Sequence, residues 1–99
     1  MPPSIQEIVN IIYLSIDEIN ELQPQNKRVP KSMESVLLGQ ESALDSLGFI
    51  NFVVTLEQKI QEKFGIEISL TEDEEFTRVN SSYRTVDSLA RFLQSKLSQ

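Results

Sequence analysis

The isoleucines of the N-terminal segment restrict the fold of this chain more than any other feature. Ile5, Ile8, Val9, Ile12, Ile16 and Ile19 recur every three or four residues, a spacing that lines up one face of an α-helix rather than of a strand. Proline brackets the stretch, with Pro2 and Pro3 before it and Pro24 after it. Ser4, followed three residues later by Glu7, reads as a capping box. The pattern predicts a first helix from about Ser4 to Leu22. A helix with so apolar a face has to be covered, so the rest of the chain must supply its partners.

Two further segments have the same period. From Ser46 to about Lys63, Phe49, Phe52, Val53, Leu56, Ile60 and Phe64 fall on or near one face. Gly65 follows as a C-cap, and Lys63 stands near the negative end of the helix dipole. Ile50 and Val54 lie beside that face and Asn51, Thr55 and Gln58 across from it. The apolar arc is broad, so Ile50 and Val54 either join the core or form an exposed apolar edge. A last helix should run from near Thr85, its N-cap, to near Lys96, with Val86, Leu89, Ala90, Leu93 and Leu97 on one face.

The connections carry weaker signals. Ile66, Ile68 and Leu70 alternate with Glu67 and Ser69, which is the strand period. With no second strand candidate to pair with, the segment is an extended connection with inward-facing apolar residues. A short third helix is expected around Asp73 to Thr77, anchored by Phe76. The connection from Gln23 to Asp45, with Pro24, Pro30 and Gly39, is long against the roughly two to eight residues usual between packed helices. Met33, Val36, Leu37 and Leu38 are read as pinning it to the helices as one short helical turn. The expected fold is all-α, a small antiparallel-type four-helix bundle with a long loop between helix one and helix two.

The chain has 99 residues and a formal net charge of −6, which fits one domain over residues 1–99. An acidic domain is a poor ligand for nucleic acid or an anionic membrane surface. The local run Lys27-Arg28-Val29-Pro30-Lys31 is a solvated loop. There is no cysteine and no histidine, which removes thiol chemistry, Cys/His zinc sites and triads that need an imidazole base. The acidic run Glu72-Asp73-Glu74-Glu75 lacks the ligand spacing and glycine of a calcium loop. Neither an enzyme nor a metal site is expected. The first apolar region, Ile8 to Leu14, is interrupted by Asn10 and too short for a membrane span, and no leader pattern precedes it. A monomeric cytoplasmic protein is the default expectation.

Asp-Ser-Leu occurs twice. At Asp45-Ser46-Leu47 the serine closes the long loop and opens a helix, where a phosphate would be favoured by the helix N-terminus. At Asp87-Ser88-Leu89 the serine falls inside the first turn of a helix already capped by Thr85, and its hydroxyl should serve the local backbone.

Asp45-Ser46-Leu47, the apolar helix from Phe49 to Glu57, Phe64-Gly65-Ile66-Glu67-Ile68 and Thr85-Val86-Asp87-Ser88-Leu89 together resemble the acyl carrier protein family in order and spacing, from about Leu37 to Leu97. The resemblance implies that Ser46 carries a covalent 4'-phosphopantetheine arm from coenzyme A, with Asp45 and Leu47 completing the motif. It implies a phosphopantetheinyl transferase as one partner and acyl-loading, acyl-transfer or condensing enzymes as others. It also implies a core deformable enough to admit an acyl chain.

Two departures from the family pattern favour a specialised carrier, in secondary metabolism or lipid or saccharide assembly, over housekeeping fatty acid biosynthesis. Positions that are typically acidic after the motif hold Gly48 and Asn51, leaving Asp45, Glu57 and Glu62 as the nearby acids. The helix also runs about one turn longer before the Phe-Gly-Ile-Glu-Ile stretch. Leu47, Gly48, Ile50, Asn51, Val54 and Glu57 are the expected partner-binding residues. The alternative is an unmodified helical interaction module that binds one partner through the apolar edge of helix two.

Overall fold

The computed structural model describes residues 3–25, 28–37, 42, 44–70 and 82–97. Among them are three helices, α1 (Ile5–Glu21), α2 (Ser46–Phe64) and α3 (Val86–Leu97), and no strand. The helix count therefore differs from the expected four. The short third helix expected around Asp73 to Thr77 falls outside the described residues.

α1 packs against both α2 and α3, so the isoleucine-rich helix is the central element. Its start is the expected capping box: the Glu7 N–H donates to Ser4 Oγ and the Ser4 N–H to Glu7 Oε1, both at 3.2 Å. At its other end the N–H groups of Leu22 and Gln23 bond three residues back, tightening the last turn before Pro24. The buried face is wider than the isoleucine spacing indicates. Ile11 belongs to it, and so does Ser15, whose hydroxyl donates to the Ile11 carbonyl at 2.9 Å. Ser15 can be fully buried because its one donor is satisfied within its own helix.

α2 ends at Gly65, the only described residue with positive φ (69°), as its position after the last apolar residue predicts. Phe49, Phe52, Val53, Leu56 and Ile60 are buried in one cluster with the α1 face and with Val86, Leu89, Ala90, Leu93 and Leu97 of α3. Lys59 pairs with Glu18 across the α1–α2 seam.

The long connection is pinned, but not by a helical turn. Val36 forms an isolated antiparallel bridge with Thr85, and the Leu37 N–H donates to the Arg84 carbonyl at 2.6 Å. The Val86 and Asp87 N–H groups donate to the carbonyls of Ser35 (3.1 Å) and Met33 (2.9 Å). These donors belong to the first turn of α3, which has no intrahelical acceptor for them. The connection therefore caps α3, and Leu37 is drawn into the core. A second anchor was not anticipated. The Asn20 side chain accepts from the Val29 N–H at 2.8 Å and donates to the Val29 carbonyl at 2.9 Å, as a neighbouring strand would, and Val29 is buried. Leu38, the fourth residue of the expected pinning cluster, lies outside the described residues.

Residues 65–69 form the expected extended connection. Ile66 and Ile68 pack against the core and Leu70 is buried. With no strand among the described residues to pair with, the backbone at Leu70 bonds to side chains: its N–H donates to Glu57 Oε2 at 3.0 Å and its carbonyl accepts the Tyr83 hydroxyl at 3.1 Å.

Candidate functional site

The start of α2 is built by three residues that precede it. Ser42 Oγ donates to the Leu37 carbonyl at 2.9 Å and accepts the Leu44 N–H at 3.0 Å. Leu44 is buried, which fixes where the helix begins. Asp45 is the N-cap, with extended backbone, and its carboxylate accepts the Gly48 N–H at 2.7 Å. Ser46 is thus the first helical residue and not the cap. Its side chain lies outside the described residues.

Gly48 lets this cap close tightly. A Cβ there would stand 3.1 Å from Asp45 Oδ1, 3.5 Å from Leu44 Cδ2 and 3.6 Å from Gln23 Nε2. The end of α1, the buried Leu44 and the cap therefore meet over one glycine. Gln23 and Leu44 carried no sequence signal for this role, because each contacts the site through the fold and not through a motif.

The partner-binding residues expected from the sequence separate into two sets. Leu47, Ile50 and Val54 are 68%, 43% and 41% exposed, and together with exposed Asn51 they form one continuous edge running down α2 from Ser46. This decides between the two readings of Ile50 and Val54: they are not core. Glu57 behaves differently. Its carboxylate turns to the Leu70 N–H, so the structure gives it a fold-holding bond.

The second Asp-Ser-Leu copy serves as an internal comparison. The Ser88 N–H donates to Thr85 Oγ1 and the Thr85 N–H to Ser88 Oγ, each at 3.1 Å, a capping box with serine in place of glutamate. The Ser88 hydroxyl donates to the Ser82 carbonyl at 2.6 Å and accepts from the Thr85 hydroxyl at 3.0 Å. It is held on all sides by its own corner of the fold.

Among the described residues no cluster of acids could hold a metal ion, and no helix is long and apolar enough to cross a membrane. No family model, no curated protein and no solved structure matches the chain.

Proposed function

We propose that the chain is a carrier domain, holding an acyl or aminoacyl group as a thioester on a 4'-phosphopantetheine arm joined to Ser46. The observation that carries this reading is the contrast between the two serines. Ser88 is tied into the cap of α3, whereas at the first copy Asp45 takes the capping role and Ser46 follows it as the first residue of a helix with an exposed apolar edge.

In this reading a separate transferase with magnesium directs the Ser46 hydroxyl onto the pantetheine-side phosphorus of coenzyme A. The phosphoanhydride bond breaks, the serine proton is lost, and the nucleotide bisphosphate leaves as a phosphodiester forms. The terminal thiol supplies the sulfur that a cysteine-free chain lacks. The carrier makes no bond itself. Tethering raises the cargo's effective concentration at a docked enzyme to about the millimolar range, so docking can be weak and serial. A short helix around Asp73 to Thr77 completing a four-helix bundle, a cytoplasmic monomer and a specialised biosynthetic pathway belong to the same reading.

The experiment is incubation with coenzyme A, magnesium and a broad-specificity phosphopantetheinyl transferase, followed by intact-mass measurement. One arm's mass should be added to the parent and to Ser88→Ala, and none to Ser46→Ala. The exposed edge of α2 also fits an unmodified interaction module; no mass addition to the parent would favour that reading.

A further inference from the structure

In a chain of net charge −6, α2 carries no charged residue at all from Ser46 to Leu56. The two carboxylates that flank this stretch stand at its ends, and each accepts one backbone N–H of the fold. Asp45 accepts the Gly48 N–H at 2.7 Å, and Glu57 accepts the Leu70 N–H at 3.0 Å. The surface leading away from Ser46 therefore offers exposed Leu47, Ile50 and Val54, with Asn51 and Gln58 as neutral exposed neighbours.

A basic partner surface laid on this edge would lose water from its cations and meet no acid between Ser46 and Leu56, which is unfavourable. An apolar surface would instead remove the three side chains from water without leaving a buried charge unpaired. We infer that the enzyme that modifies Ser46 reads α2 through an apolar, uncharged patch of its own and not through a basic one; this rests on the carrier reading. The charge of the molecule as a whole then has little part in choosing that partner, because the stretch from Ser46 to Leu56 is itself uncharged.

The test uses two phosphopantetheinyl transferases of known structure, one with an apolar and one with a basic carrier-facing surface. Each transfers the arm from coenzyme A to the full chain, and kcat/KM is measured at low and at physiological salt. The apolar-surfaced enzyme should be favoured by about tenfold or more, the effect of one well-buried contact. Its kcat/KM should change less than about twofold between about 0.02 and 0.15 M salt, since screening acts on charge pairs. Ile50→Asp and Val54→Asp should each lower kcat/KM by about tenfold or more, with circular dichroism and Tm near the parent. If an aspartate variant loses its fold, Ile50→Gln and Val54→Thr serve in its place, with a smaller loss in the same direction.

Transfer by the basic-surfaced enzyme alone, a steep loss with salt, or folded edge variants modified at the parent rate would overturn the inference and leave the carrier reading standing. Self-association of the parent that Val54→Asp abolishes would place a second copy on the edge and overturn it too. If neither enzyme modifies Ser46, both readings fall together.

Discussion

The Tyr83 hydroxyl donates to the carbonyl of Leu70, 13 residues before it in the chain, at a buried distance of 3.1 Å. The Tyr83 ring lies edge-on to Phe49 and 5.5 Å from Phe92, so one side chain joins the start of α2, the middle of α3 and the extended connection. Tyr83→Phe keeps the ring and takes the buried hydroxyl donor from the Leu70 carbonyl. It should cost about 1–3 kcal/mol in denaturant unfolding, the usual penalty for a buried unsatisfied polar group. Tyr83→Ala should cost more, about 3–5 kcal/mol, because the ring goes as well.

Glu57 holds the other side of Leu70, and its two suggested roles can be separated. Glu57→Gln retains an oxygen that can accept the Leu70 N–H, whereas Glu57→Ala does not. If Glu57 holds the fold, alanine should destabilise by about 1–3 kcal/mol and glutamine by clearly less. A partner-contact role predicts the reverse emphasis: unchanged stability in both variants, with slower arm transfer.

The cap of α2 belongs to Asp45, which changes the expected cost of replacing its neighbour. Asp45→Ala should lose about 0.5–2 kcal/mol, the range for an N-cap carboxylate. Ser46→Ala should stay within about 0.5 kcal/mol, as for a position outside such features. Thermal denaturation of the pair checks the order, and a larger loss at Ser46 would return the capping role to the serine.

The two faces of α2 can be compared directly. Leu56 is fully buried and Val54 is 41% exposed, so Leu56→Ala should cost about 2–5 kcal/mol by opening a cavity. Val54→Ala should cost less than about 1 kcal/mol, since only part of a small side chain leaves an apolar environment. Equal losses would mean that the edge is packed in solution.

Asn20 should matter to the long connection more than its place at the end of α1 implies. Asn20→Ala removes both bonds to Val29 and should destabilise by about 1–3 kcal/mol. Asn20→Asp keeps the acceptor but sets a carboxylate against the Val29 carbonyl, so it should not rescue. Limited trypsin digestion after the exposed Arg28 should quicken in both variants.

Much of this was legible because it is local. Ser4 and Glu7 lie one turn apart, as do Thr85 and the residues that follow it, and the faces of α1 and α3 repeat within a few residues. Gly65 announces its own cap. What escaped was set by partners distant in sequence. Val29, between Arg28 and Pro30, belongs to no periodic pattern, and its burial depends on Asn20 nine positions earlier. Ser15 looks polar until its bond to Ile11 is counted. The connection around Val36 has a helical turn's worth of apolar residues, yet its backbone groups are claimed by the open N-terminus of α3. At the candidate site, the serine and aspartate were visible as a motif. The division of labour between them, and the exposure of Ile50 and Val54, came only from packing.

The bonds from Ser35 and Met33 to the head of α3 have a consequence for hydrogen exchange. The Leu37, Val86 and Asp87 amides are neighbours in the same patch of backbone although they come from opposite halves of the chain. Releasing the connection deprives α3 of acceptors for its first turn, and fraying that turn removes the surface on which the connection lies. The three protons should therefore exchange together, with one opening free energy, as a single cooperative unit. A deuterium label on the segment that leads to Ser46 would then report on a helix that begins some forty positions later.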